Sequence, residues 1–258
     1  MGFIGRIASK ALPKRLFELI RFIKFPKSYA SVDFATYNQD GLIAFHNCDF
    51  ISDARFAQAY QAGEATGSWR GARIHWRAFV ACWAADRGKS LEGDFVECGV
   101  NKGGLSKTVM EYIDFDSMSD RKFYLLDTFE GLAEKYISDA ERKSGVMPGG
   151  YEECLDAVKR TFGQNRNAVI IKGTVPDTLP EVKTDKVAYL SIDMNCVEPE
   201  IAAAEFFWDK MVSGAAIILD DYGATNHIHQ KRAFDEFAKR KNVMILPLPT
   251  GQGLILKP

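Results

Sequence analysis

A chain of 258 residues, 47% hydrophobic and 26% charged, is long enough for one large α/β domain with a full core. Its net charge of −1 argues against a general nucleic-acid binder. The five cysteines, Cys48, Cys82, Cys98, Cys154 and Cys196, are scattered and lack a C-x-x-C pair, and no apolar run reaches membrane-span length and no signal peptide is evident, so a reduced, cytoplasmic protein is expected.

Residues 1–30 stand apart. Seven basic side chains, from Arg6 to Lys27, face the single acid Glu18, with apolar residues between them at helical spacing and Pro13 and Pro26 as breaks. Such a basic amphipathic element either lies on an anionic membrane surface, as a peripheral contact at the inner face, or packs on its own domain or a partner subunit. Residues 31–92 predict a helical cap after a short extended start. Phe50-Ile51 to Ala62 and Ile74 to Asp86 carry apolar residues at i, i+3 and i+4. Here Trp69, His75 and Trp76 read as core aromatics and Arg77 as a solvated arginine.

From residue 93 to 258 strands and helices alternate as one core. Strands are predicted over Asp94–Cys98, Lys122–Asp127, Ala168–Lys172, Val187–Asp193 and Ala215–Asp220, with helices such as Pro199–Met211 and Gln230–Lys241 between them. Polar residues 133–150 follow the second strand as a lid over the substrate or a disordered loop. Two last strands, Val243–Leu246 and Leu254–Leu256, are joined through Pro249-Thr250-Gly251-Gln252-Gly253. That join is too short for a helical crossover, so the pair must be antiparallel. The expected fold is α/β: a seven-stranded, mostly parallel Rossmann-like sheet, last strand antiparallel, helices on both faces, and an N-terminal helical extension.

The first strand delivers Glu97 into a glycine-rich turn, Cys98-Gly99-Val100-Asn101-Lys102-Gly103-Gly104-Leu105-Ser106, and the second ends in Asp127. Glycine permits a tight turn and close approach of a ligand to bare backbone, and a strand-end carboxylate can grip a ribose. The spacing is E-x-G-x-x-x-G. It is neither the dinucleotide G-x-G-x-x-G nor a P-loop. It resembles the first motif of S-adenosylmethionine-dependent methyltransferases; an ordinary strand-to-helix turn is the plainer alternative.

Strands four and five end in Asp193 and in Asp220-Asp221. If these strands are neighbours, three carboxylates crowd together, and hard oxygens of that kind suit Mg²⁺; helix or turn capping is the other use of such residues. Together with Asp127-Thr128-Phe129-Glu130-Gly131-Leu132, Gly173 to Pro180 and Asp220-Asp221-Tyr222-Gly223, these motifs resemble the macrocin-type sugar O-methyltransferases over roughly residues 90–235. The resemblance implies Mg²⁺ on Asp193, Asp220 and Asp221, ribose contacts from Asp127 and adenine contacts near Thr174 and Val175. The candidate S-adenosylmethionine contacts are Glu97, Gly99, Val100, Asn101, Lys102, Gly103, Ser106, Asp127, Thr128, Phe129, Gly131, Thr174, Val175 and Asp193. A second acid common in the family two residues beyond Asp193 is replaced by Asn195.

Asp193, His227 and His229 are the candidate bases for an acceptor hydroxyl. The expected activity is Mg²⁺-dependent O-methylation of a sugar hydroxyl on a polysaccharide, glycolipid or glycosylated natural product, by a homo-oligomer that does not bind nucleic acid. The rival is a catalytically silent membrane-surface partner of a glycan-assembly complex that keeps the fold.

Overall fold

The computed structural model describes residues 35–258. The element read over residues 1–30 lies outside them. Contacts divide the chain into two units, one ending at Asp49 and the other running from Phe50 to Pro258.

In the first unit β1 (Tyr37–Gln39) and β2 (Leu42–Ala44) form an antiparallel hairpin with Tyr37 opposite Ala44. Asp40 and Gly41 turn it at φ 54° and 70°, the left-handed pair that a two-residue hairpin requires.

The second unit is built on one sheet. In chain order it contains α1 (Ala54–Glu64), α2 (His75–Lys89), β3 (Asp94–Cys98), α3 (Gly104–Ile113), β4 (Phe123–Asp127), α4 (Asp139–Lys143), α5 (Leu155–Phe162) and β5 (Ala168–Lys172). There follow β6 (Val187–Ile192), α6 (Val197–Trp208), β7 (Met211–Leu219), α7 (Ile228–Lys241), β8 (Leu246–Pro247) and β9 (Gly253–Leu256). The sheet order is β5-β4-β3-β6-β7-β9-β8. β3 to β7 pair in parallel, and β9 runs antiparallel to both β7 and β8. The order reverses beside β3, where β4 and β6 flank it. That switch point is where open α/β sheets bind ligands, beyond the carboxyl ends of the strands.

Strand side chains alternate between two cores. Phe95, Phe123, Leu125, Tyr189 and Ile218 face one layer with Ala78, Ala81 and Cys82 of α2 and Val109 and Ile113 of α3. Val96, Tyr124, Leu190, Ile217 and Ile255 face the other with Ala203 and Phe207 of α6 and Phe234 and Phe237 of α7. Near-continuous apolar strands are what burial on both faces demands.

Boundaries depart from the periodicity in three places. Asp53 caps α1, its side chain accepting from the Phe56 N–H at 3.0 Å, so the helix starts later than Phe50-Ile51. The helix predicted to Met211 stops at Trp208, and Met211 opens β7. The strand expected over Val243–Leu246 shrinks to Leu246–Pro247. Met244 is 82% exposed, and Pro247 has no N–H to give an edge ladder.

Candidate active site

The turn after β3 is shaped by contact with its neighbours. Gly99 has φ 92°, and a Cβ there would stand 1.8 Å from the Asp193 carbonyl oxygen at the end of β6. Gly103, at φ 86°, caps α3 where a Cβ would meet the Phe162 ring at 2.5 Å. Asp127 then locks the turn. One carboxylate oxygen accepts from the Val100 and Asn101 N–H groups, both at 2.7 Å, and the other from the Phe129 N–H at 2.7 Å. The Thr128 hydroxyl donates to the Gly131 carbonyl at 2.7 Å and so holds the following turn.

Above these strand ends lies a cleft of about 770 Å³, counted to its open mouth. Nine of the fourteen candidate cofactor residues line it: Gly99, Asn101, Asp127, Thr128, Phe129, Gly131, Thr174, Val175 and Asp193. The other five stand behind or beside the loop. Glu97 is buried and accepts from the Ser106 hydroxyl at 2.5 Å, and burial pushes its carboxyl up to about 8 despite that bond. Val100 is core, Gly103 is the helix cap, and Lys102 reaches out to Glu152 at 3.4 Å.

Residues 133–150 are ordered against the core. Leu132 and Gly149 exchange backbone hydrogen bonds at 2.9 Å. Glu141 is buried, accepting from the Ser138 N–H at 2.9 Å and, through its other oxygen, from the Val197 N–H at 2.7 Å at the start of α6. Tyr136 donates to Asp177 at 2.7 Å. Leu132, Ala133 and Tyr136 form one wall of the cleft, and Tyr151 stands with them. The segment was legible as a cover, but its polar, aperiodic sequence carries no mark of which side chains face inward.

Asp193 and Asp220 are register neighbours, as expected, because Ile192 pairs with Leu219 immediately before them. Asp193 lines the cleft. Burial holds its carboxyl well above the ordinary carboxylate range, Asp220, Asp221 and Glu200 add to this, and Arg77 opposes them. The Mg²⁺ reading finds no support in this arrangement. Among the described residues no group of three His, Cys, Asp or Glu side chains stands so as to hold an ion. The reason at Asp220 is visible. One of its oxygens accepts from Arg77 Nη1 at 2.7 Å and the other from Gln252 Nε2 at 3.0 Å. Asp221 faces His227 Nε2 at 3.7 Å. A hard-oxygen donor set is present, but its arrangement does not fit Mg²⁺.

Arg77 is likewise not the solvated arginine its helix pattern predicts; its side chain is 24% exposed and lies 143 residues from its partner in sequence. The aromatics beside it are half-buried against the core and not within it. Trp76 packs on Phe50 at 4.5 Å, and His75 stacks on Tyr60 at 4.1 Å. Of the candidate bases only Asp193 lines the cleft. His227 Nδ1 is 2.8 Å from Gln230 Nε2, and His229 Nε2 is 2.8 Å from Ser144 Oγ on the covering segment.

The sequence profile described as macrocin-O-methyltransferase (TylF) matches residues 31–248. A Streptomyces olivaceus 8-demethyl-8-(2,3-dimethoxy-alpha-L-rhamnosyl)-tetracenomycin-C 4'-O-methyltransferase is 27% identical over 140 residues, covering 51% of this chain and 54% of that protein. The Streptomyces niveus demethyldecarbamoylnovobiocin O-methyltransferase is 26% identical over 147 residues, covering 52% and 55%. The chain thus spans about half the length of the curated relatives it matches. Among solved structures, the O-methyltransferase NovP superposes with a TM-score of 0.60 at 21% identity, over 70% of this chain and 79% of that one, so the two share a fold.

Proposed function

Because the chain belongs to the macrocin O-methyltransferase family, we propose that it is an S-adenosylmethionine-dependent O-methyltransferase acting on a sugar hydroxyl of a glycosylated natural product or glycan. One observation carries the reading: Asp127 ties down the loop at Val100 and Asn101, Gly99 lets that loop pass against the end of β6, and Gly99, Asn101 and Asp127 together line a cleft at the switch point of the sheet. The sugar reading is supported by the tetracenomycin relative, which is named for a rhamnosyl substrate.

S-adenosylmethionine supplies an electrophilic methyl group on a sulfonium. Gly99 and Asn101 would lie under it at the end of β3, with Asp127, Thr128 and Phe129 following at the end of β4 and Thr174 and Val175 beyond the end of β5. Phe129 and Val175 give apolar surface for a base, and Tyr136 and Leu132 help exclude water. The acceptor oxygen forms its bond to the methyl carbon as the carbon–sulfur bond breaks, and the hydroxyl proton leaves to a base. Asp193 is the base that the cleft offers. Of the three candidate bases it alone lines the cleft, and it would take that proton in its ionised form. The Mg²⁺ assistance expected from the motifs finds no fitting ligand set, and no step is routed through it.

Incubation with S-adenosylmethionine and rhamnosylated or other glycosylated acceptors, read by mass spectrometry, should give a product heavier by one methylene together with S-adenosylhomocysteine. Failure to bind either form of the cofactor in calorimetry would leave the silent-partner reading in its place.

A further inference from the structure

The acids at the ends of β6 and β7 are provided with a cation by the chain itself. We propose that the Arg77 guanidinium takes the place of a divalent ion at this cluster, acting as a positioning residue that lets transfer proceed without added metal; this rests on the methyltransferase reading above. Arg77 sits in the first turn of α2, a helix held by the buried Ala78, Ala81, Cys82, Ala84 and Ala85. Its Nη1 lies 2.7 Å from Oδ2 of Asp220, whose side chain is 8% exposed. The other Asp220 oxygen is held by Gln252, itself fully buried and fixed through its own oxygen by the Thr250 hydroxyl at 3.0 Å.

Both oxygens therefore face donors from two different parts of the fold, α2 and the β8–β9 join. An incoming ion would have to displace a charge-assisted bond between two largely buried side chains. A guanidinium stays charged at every pH the protein meets, so this compensation does not depend on metal supply. It also fixes the carboxylate plane of Asp220 next to Asp193, the group that lines the cleft. In this arrangement the guanidinium offsets the negative field that would otherwise oppose a second carboxylate at the same strand ends. The position where the family motif implies an ion is thus organised by an arginine from the N-terminal helices.

The test uses the full chain freed of metal with a chelator and titrated with Mn²⁺, a hard ion with an electron-paramagnetic signal that reports binding independently of turnover. The wild type should take up no stoichiometric Mn²⁺ at about 1 mM, a demanding concentration for an all-protein carboxylate site, and its turnover should change less than about twofold with chelator. Arg77→Ala should gain one Mn²⁺ site, lose about tenfold or more in metal-free turnover, and recover in part with Mg²⁺. Arg77→Lys keeps a cation and should remain independent of metal. Stoichiometric Mn²⁺ binding by the wild type that Asp220→Asn abolishes would overturn the proposal, as would turnover lost to chelator and restored by Mg²⁺. These wild-type and Asp220→Asn measurements decide the matter even if Arg77→Ala does not fold. Calorimetry with S-adenosylhomocysteine is the separate control: absence of binding there removes the methyltransferase reading and leaves the metal result intact.

Discussion

Gly99 is where the backbone has least room. Its φ of 92° is unfavourable for any L side chain, and the Asp193 carbonyl occupies the space a Cβ would take. Gly71 has a similar φ of 86° with nothing within 4 Å of its Cβ position. Gly71→Ala should cost only the conformational term, about 1–2 kcal/mol. Gly99→Ala should cost about 3 kcal/mol or more, because β3 and β6 must also separate. Denaturant midpoints would compare the two, and equal losses would show that the close approach of the strands contributes nothing.

Glu97 gives a pH prediction. Its folded carboxyl titrates near 8 against an ordinary unfolded value, because it is buried on Ser106. Between those two values the folded chain holds a proton that the unfolded chain releases, so this group's stabilisation is full below its unfolded pKa and is lost as pH rises toward about 8. Glu97→Gln keeps an acceptor for Ser106 and cannot ionise. Unfolding free energies taken from about pH 5 to pH 8.5 should fall less steeply for the variant, by at least about 1 kcal/mol across that range. Parallel slopes would mean that Glu97 is not a buried acid. Residue type and spacing made Glu97 and Asp127 legible as strand-end acids beside the glycine loop. What they bind was not legible, since it depends on which backbone N–H groups the turn presents. Arg77 was missed for a related reason: only the folded chain reveals that the first turn of α2 faces the end of β7.

At the scale of elements, apolar runs bounded by acids made the five parallel strands readable, because both sheet faces are covered and each strand must be apolar throughout. The edge was less readable. Val243–Leu246 has strand composition, but an unpaired edge with Pro247 supports only two paired residues. The covering segment was the least readable, since its order comes from capping and not from an apolar stripe. Ser138 and Glu141 form a capping box at α4, and the second Glu141 oxygen reaches the first N–H of α6. One carboxylate therefore ties two elements together. Glu141→Ala should remove about 1–2 kcal/mol from that tie alone. Amide exchange over residues 133–150 should then rise about tenfold with β3 to β7 unchanged. Exchange that rises equally in the strands would place Glu141 in the global core instead.

The second unit combines two cores on one seven-stranded sheet with a cleft at its switch point, so a ligand in the cleft would touch the ends of β3, β4 and β6 together. Binding there must stabilise the second unit as a body, because the ends of those strands cannot open independently of the sheet between them. S-adenosylhomocysteine at about a hundredfold excess over its Kd should add about 2.7 kcal/mol, and for a chain of this size that corresponds to a rise in Tm of about 5–10 °C. Asp127→Asn supplies the contrast. The amide can still accept at its oxygen, but its NH₂ group must face an N–H donor of the loop, either the Val100 and Asn101 pair or Phe129. Its Tm without ligand should fall, and the rise on adding S-adenosylhomocysteine should shrink by more than half, since Asp127 holds the loop that lines the cleft. A variant that melts lower yet keeps the full ligand-induced rise would show that the loop is stabilised by Asp127 but that the ligand does not sit on it.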